Sequence, residues 1–147
     1  KESFTAAGVQ TKVVVIGEAV DTAHFDPEAH LPLELPLDAK CNAMAAAWGG
    51  IRPFRFLSVF KWELRKGWDV LLKAFLAEFD AFDPVELVIK TRPFYSSGDV
   101  AGLVGDLAAE HTLRSAGQQP CVRVLTDDLP PHALPRLYRA ADAFVLP

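Results

Sequence analysis

Three basic side chains lie close together in the segment 61–66 and could bind a phosphate group. Lys61 follows an apolar run. Arg65 and Lys66 immediately precede Gly67, where an amphipathic helical pattern begins. The N-terminus of a helix carries unpaired N–H groups and a partial positive charge, and nearby lysines add full charges. Lys61 and Lys66 could therefore both reach one diphosphate. The alternative is a solvated loop between a strand and a helix.

Polar and small residues also follow two other apolar runs. Gly17 and Glu18 come directly after the β-branched run 12–16. A glycine there would let a ligand or a neighbouring domain approach the backbone, and a plain turn is the alternative. Thr91 and Arg92 follow the third apolar run, and Arg92 could contact an anion. Ligands bind at the carboxyl ends of parallel strands, so these residues are candidates for the rim of the same site.

The acidic pair Asp127 and Asp128 follows the fourth apolar run. The pair could bind a metal or cap the next helix. Capping is favoured, because no third acidic residue lies nearby to complete a metal site. The spacing of the four histidines does not indicate a metal site either, and we expect none.

Strands and helices are predicted to alternate along the chain. Apolar runs predict five strands, at 12–16, 55–60, 85–90, 121–125 and 143–146. Apolar residues at helical spacing predict helices over 67–79 and 99–116, with cap residues at 96–99, and a short helix after Pro131. Strands that alternate with helices predict one parallel α/β sheet with right-handed crossovers.

Residues 22–54 interrupt this alternation. Four prolines punctuate the segment, and only 43–48 has a helical pattern. We expect a long irregular excursion, which in a protein of this size is usually functional or flexible.

Composition narrows the class of protein. The chain has 147 residues, 50% of them hydrophobic and 23% charged, which suits one globular domain. A net charge of −4 argues against a nucleic-acid-binding protein that relies on a broad basic field. No apolar run reaches the roughly 18 residues of a membrane span, and the first residues lack the apolar core of a signal peptide. Localisation stays open.

The two cysteines, Cys41 and Cys121, are far apart in the sequence. Two buried thiols are the favoured interpretation, and a disulfide is the alternative. On either interpretation the cysteines indicate no compartment.

Three segments together resemble a known family. Residues 12–27 resemble the "KV.VIPNGVD...F.P" segment that opens the C-terminal domain of group-1 (family 4) retaining glycosyltransferases. Residues 56–67 are similar to their "ILSVGRL...KG" motif, and residues 134–147 to their "L..LY..ADVFVLPS" segment. The three motifs occur in the family's order and cover nearly the whole chain.

The resemblance implies a Rossmann-like domain with helices on both faces of the sheet. In this family two such domains face each other, the C-terminal one binds the nucleotide-sugar donor, and no metal or other cofactor is needed. The motif's Arg and Lys contact the donor diphosphate. They correspond here to Lys61 and Lys66, with Arg65 as a neighbour. The "PNG" turn reads Gly17-Glu18-Ala19, and lysine in place of arginine removes a bidentate fork.

The resemblance also implies that residues 1–147 are part of a donor-binding domain, with an insertion at about 22–54. The family's acidic "E-x7-E" segment would begin just after Pro147, and the acceptor-binding domain would precede the chain. No catalytic residue is assigned within the chain, and we expect the chain alone to be inactive. The acceptor could be a glycan, a lipid or a protein. The alternatives are a non-catalytic nucleotide- or phosphate-binding module and a structural interaction domain.

Overall fold

Four parallel strands form one sheet at the centre of the structure. The structure is a computed structural model that describes residues 2–92, 99–111 and 116–147. The strands are β1 Phe54–Val59, β2 Val85–Lys90, β3 Cys121–Leu125 and β4 Ala143–Phe144. Their order across the sheet is β3-β2-β1-β4. The helices are α1 Glu2–Ala6, α2 Ala39–Ala45, α3 Trp68–Glu78, α4 Val100–His111 and α5 Ala133–Arg139.

Helices cover both faces of this sheet, which gives the α/β, Rossmann-like architecture that the sequence predicts. Leu72 and Phe75 of α3 and Val104 of α4 pack with Leu87 and Ile89 on one face. On the other face Leu137 of α5 packs with Leu57 of β1 and Val88 of β2. The crossover through α5 runs back across the sheet to β4, so a right-handed connection requires this helix to lie on the opposite face from α3 and α4.

Most of the predicted elements are confirmed. β2 and β3 occupy the residues predicted for them, and β1 begins one residue earlier than expected. β4 is shorter than its apolar run. Asp99 caps α4, since its Oδ1 accepts from the N–H of Gly102 at 2.8 Å. The cap residues predicted at 96–98 and the helix end predicted beyond His111 fall largely outside the described residues.

The strand predicted at residues 12–16 is wrong. The segment is irregular, and Val14, Val15 and Ile16 are exposed, up to 86% for Ile16. A β-branched run favours a strand only where a neighbouring strand pairs with it and a core covers it. In the part of the sheet that the structure describes, the only strand paired with β4 is β1, and the segment 12–16 pairs with none. The parallel sheet therefore has four strands rather than five.

The excursion at 22–54 is mostly irregular, as predicted, and it covers the second face of the sheet. Leu33 and Leu35 pack against the cluster formed by Leu57, Val88 and Leu137. Its one α-helix, α2, begins earlier than the sequence indicates. Asp38 starts it by accepting from the N–H of Cys41 at 2.8 Å, a side-chain cap that periodicity alone does not reveal.

Cys41 and Cys121 form a disulfide, so the expectation of two free thiols is wrong. α2 packs over the start of β3, where Trp48 and Met44 surround the two sulfur atoms. This packing brings the two Cα atoms to 5.4 Å although the residues are 80 positions apart. The spacing of two cysteines in the sequence does not reveal whether they are in contact in the fold. The sequence alone therefore does not indicate the disulfide between Cys41 and Cys121.

A carboxylate is fully buried in the central strand β2. Glu86 accepts from Arg55 Nε of β1 at 2.6 Å and lies 2.7 Å from Arg123 Nη2 of β3. The same two guanidinium groups donate to the carbonyls of Leu35 and Pro36 in the excursion. The ion pairs therefore join the excursion to all three strands.

Asp142 attaches the short strand β4 to the start of β1. Its Oδ2 accepts from the backbone N–H of Arg55 at 2.7 Å and from Arg52 Nη1 at 2.8 Å. Burial alone would raise the pKa of Asp142, but these hydrogen bonds and the charge of Arg52 outweigh it and hold the pKa below its ordinary value. The ionised carboxylate is thus the form that stabilises the fold.

None of the helices in the described ranges has both the length and the apolar character needed to cross a membrane.

We predict that reduction of the disulfide destabilises the fold. A cross-link between residues 80 positions apart restricts the unfolded chain and contributes about 4 kcal/mol on a chain-entropy estimate. Urea unfolding with and without a reductant should show a fall of that order in the free energy of unfolding. The Cys41→Ser, Cys121→Ser double variant is the control, since a reductant should not change its stability. An equal effect of the reductant on both proteins would contradict the prediction.

We further predict that Asp142→Asn lowers stability near neutral pH by about 1 kcal/mol. Because the folded pKa of Asp142 is depressed, its contribution is present above the ordinary value of 3.8 and is lost as the pH falls through the folded pKa. Unfolding curves measured across this range should therefore converge for the two proteins at acid pH. Asp106→Asn, at an exposed position of α4, is the control. A difference that stays constant down to the lowest pH would exclude this role of the charge.

Candidate functional site

A cavity of about 350 Å³ opens at the carboxyl ends of β1 and β2, and we call it the edge cavity. Three cationic residues line it: Lys61, Lys90 and Arg92. Thr91 lies between the last two, and Leu129 and Leu134 contribute an apolar wall from the loop after β3 and from α5. In an open parallel sheet this edge is where ligands bind.

Backbone hydrogen bonds continue the sheet past the strand ends and hold the loops of the edge cavity. The N–H of Phe60 donates to the carbonyl of Lys90 at 3.1 Å, and that of Trp62 donates to Arg92 at 3.1 Å. The N–H of Thr91 donates to Leu125 at 3.0 Å. The loops after β1 and β2 therefore run side by side, which keeps their basic residues on the same cavity.

Aromatic packing anchors the loop that carries Lys61 and Lys66. Trp62 is buried and stacks on Trp68 with ring centroids 4.3 Å apart. Gly67 has a positive φ of +66°, and a Cβ there would lie 3.2 Å from side-chain atoms of Pro147. The turn between the loop and α3 thus requires glycine for its conformation and for the close approach of Pro147.

The predicted diphosphate-binding residues occupy different places in this loop. Lys61 is exposed and lines the edge cavity. Lys66 is half-buried in the helical turn Leu64–Lys66, and it is not among the residues that line the cavity. Arg65, the predicted neighbour, forms an exposed ion pair with Glu63. The structure therefore assigns Lys61 to the cavity and Lys66 to the start of α3.

Lys90 is the residue of this site that the sequence analysis missed. Only 8% of its surface is exposed, and its Nζ donates to the carbonyls of Thr91 and Leu125 at 3.3 and 3.4 Å. Burial and, secondarily, the charge of Arg92 lower the pKa of Lys90, while Asp128 and Asp127 act in the opposite direction. The available signal is a charged residue at the carboxyl end of a predominantly apolar strand.

Thr91 has a buried hydroxyl without a partner. The residue is 2% exposed and lines the edge cavity, and its Oγ1 forms no hydrogen bond. A buried hydroxyl without a partner costs about 1–3 kcal/mol. Its presence next to a cavity is the kind of unfavourable feature that ligand binding would explain.

Arg92 pairs with Asp128 across the mouth of the edge cavity. Both side chains are exposed, so the pair contributes little to stability.

The contact between Arg92 and Asp128 also corrects the prediction that the acidic pair Asp127 and Asp128 caps the next helix. α5 begins after His132 without any side-chain cap, so neither Asp127 nor Asp128 caps it, because the loop places Asp128 against Arg92 instead.

Gly17 and Glu18 do not lie at a strand end, contrary to the prediction. Both are exposed in an irregular segment, because the run before them forms no strand. Neither lines the edge cavity.

A larger cavity, of about 430 Å³, lies between the excursion and α5. Phe25 and Tyr138 form much of its wall, and burial raises the pKa of the Tyr138 hydroxyl. Its lining contains one cation, Arg139, and one acid, Asp26. The edge cavity has the greater concentration of positive charge and is therefore the better candidate for an anion.

One cluster in the described ranges has metal-ligand spacing, but its chemistry does not suit a cation. Cys41, Glu86 and Cys121 place their ligand atoms within 4.8 Å of one another. The two sulfur atoms are bonded to each other, and the carboxylate lies between two guanidinium groups.

Comparison with known proteins adds no family. The sequence matches no protein-family model, and no curated protein matches it significantly.

We predict that Thr91→Val does not destabilise the protein and raises its free energy of unfolding by about 1 kcal/mol, because valine has the same shape and removes the unpaired hydroxyl. Chemical denaturation is the measurement. Thr126→Val, at an exposed position in the loop after β3, is the control and should be neutral. A clear loss of stability in Thr91→Val would show that the hydroxyl contributes to the unliganded fold.

Proposed function

We propose that this chain is part of the nucleotide-sugar-binding domain of a retaining glycosyltransferase, and that the edge cavity binds the diphosphate of the donor. The observation that carries the proposal is the convergence of Lys61, Lys90 and Arg92 on one cavity at the carboxyl edge of a parallel sheet. Three positive charges that are opposed at the cavity mouth by Asp128 suit a doubly charged ligand.

The order of the motifs supports the same function. The segment resembling "ILSVGRL...KG" supplies β1, the loop with Lys61 and Lys66, and the start of α3. The segment resembling "L..LY..ADVFVLPS" supplies α5 and β4. In the proposed enzyme the sugar is transferred with retention to an acceptor, and the nucleoside diphosphate is the leaving group.

The basic residues act by electrostatics in this proposal. As the bond between the sugar and the diphosphate breaks, negative charge develops on the departing phosphate. Lys61 at the cavity and Lys66 at the start of α3 stabilise that charge, together with the helix N-terminus. No proton transfer by these residues is required, and the proposed chemistry uses no metal.

A non-catalytic nucleotide- or phosphate-binding module is the second candidate. Among the described residues, no carboxylate lines the edge cavity. A module of this kind would bind the same ligands and would transfer no sugar. Incubation of a full-length protein that contains this domain with a nucleotide-sugar and candidate acceptors separates the two functions, since only the enzyme yields a glycosylated product.

We predict that Lys61→Ala and Lys66→Ala each weaken binding of a nucleoside diphosphate roughly ten- to a hundredfold, since each removes one charge-assisted hydrogen bond of about 1.5–3 kcal/mol. Titration calorimetry with UDP, GDP and ADP is the measurement. Lys73→Ala is the control, because Lys73 lies on the exposed side of α3 and pairs with Asp69 at 3.5 Å.

Absence of binding by all three nucleotides would exclude the proposed function. If Lys61→Ala, Lys66→Ala and Lys73→Ala behave alike, the loop is a solvated connection and the assignment of the site fails.

A further inference from the structure

The two charged residues of the fully buried strand β2 have different partners. Glu86 lies near its amino end between Arg55 and Arg123. Lys90 lies at its carboxyl end, and no carboxylate of the described residues lies within ion-pair distance of its Nζ. Its ammonium group has only two long hydrogen bonds to carbonyls. A buried charge is costly unless it is paired, so an ammonium without a counterion at a cavity points to a ligand that supplies one.

The charged groups around Lys90 do not provide a direct counterion for its ammonium group. The positive charge of Arg92, on the loop after β2, disfavours the charged form of Lys90. The carboxylates of Asp127 and Asp128, on the loop after β3, favour the charged form of Lys90, but Asp128 pairs with Arg92. From the loop after β1, Lys61 adds a further positive charge to the same lining.

We propose that Lys90 is a principal anion-binding residue of the edge cavity, and that its ammonium binds a phosphate oxygen of the nucleoside diphosphate. This inference rests on the proposed function, since it assumes that a diphosphate occupies the cavity. It assigns to the site a residue outside the motif that carries Lys61 and Lys66. Where the amine is neutral before binding, a proton from solvent completes the ammonium group, and no covalent bond to the ligand forms.

The direction of the pH dependence follows from the position of Lys90. Its pKa is already lowered in the free protein, so below the ordinary value of 10.5 there is a range of pH in which the amine is partly neutral. A bound anion favours the charged form and raises the pKa again. Binding in that range therefore takes up a proton, and affinity falls as the pH rises through it.

Titration calorimetry in pairs of buffers with different ionisation enthalpies tests the proposal. The probes are ADP, GDP and UDP at a series of pH values between about 8, where a phosphate with a second pKa near 6 is already ionised, and the ordinary lysine value of 10.5. The wild-type protein should take up a fraction of a proton for each nucleotide bound, and the fraction should grow with pH.

Two substitutions separate the charge of Lys90 from its titration. Lys90→Met keeps the volume and removes the charge, and it should weaken binding at least tenfold and abolish proton uptake. Lys90→Arg keeps a charge that does not titrate, so it should retain more affinity than Lys90→Met while losing the uptake. Lys73→Met, on the exposed side of α3, should match the wild type in both respects.

The outcomes distinguish this inference from the proposed function. If the wild type binds a nucleotide and Lys61→Ala weakens it, but Lys90→Met binds within about twofold of the wild type, the inference is wrong and the proposed function stands. Proton uptake by Lys90→Arg equal to that of the wild type also overturns it. If the wild type binds none of the three nucleotides, the proposed function fails and the inference with it. If Lys90→Met does not fold, proton uptake by the wild type together with its loss in Lys90→Arg supports the inference, and equal uptake by the two proteins overturns it.

Discussion

The buried carboxylate of Glu86 is the constraint on which the arrangement of the second face depends. An ionised group without access to water must be neutralised and hydrogen-bonded. Arg55 and Arg123 of the flanking strands provide the charge. Each guanidinium group also donates to one carbonyl of the excursion, Arg55 to Leu35 and Arg123 to Pro36. An irregular segment is suited to this role, because its carbonyls are not used in regular secondary structure. The ion pairs thus specify where the excursion lies, and the disulfide joins its helix α2 to β3.

The two buried charges of β2 differ in their partners, and this difference underlies the proposed roles of Glu86 in the fold and of Lys90 in the site. Removing one partner of a fully paired buried charge is strongly destabilising, so the group at the amino end of β2 is bound to its neighbours. At the carboxyl end of the strand Lys90 has carbonyl acceptors only. Parallel sheets place their loops and ligand sites at this edge. Glu86, the paired charge, therefore lies at the end of the sheet away from the loops that bind ligands in this architecture. Lys90 lies at the edge where such ligands bind.

Periodicity predicted the elements that the core determines and failed where contacts between distant segments decide. β2, β3 and α3 were found because their apolar residues are continuous or recur at helical spacing, and both patterns reflect burial on the sheet. The run 12–16 has the same composition but no neighbour to pair with, so it forms no strand. The disulfide depends on α2 packing over β3, which no local pattern encodes. At the site, Lys61 was found because it follows a recognisable strand. Lys90 was missed because its importance lies in its burial and its lack of a carboxylate partner.

The separation of Lys61 from Lys66 limits the ligands that the site suits. Trp62 lies between the two lysines in the sequence. It is buried and stacks on Trp68, and this packing holds the loop in a conformation that keeps the two lysines apart. Gly67 and its contact with Pro147 hold the far end of the loop at the start of α3. A ligand that contacts both lysines therefore has to extend from the cavity towards that helix N-terminus. A diphosphate with a substituent at each end is longer than a single phosphate group. If the ligand contacts both lysines, as proposed, this difference in extent adds to the convergence of positive charges in favouring a nucleotide-sugar over an isolated phosphate.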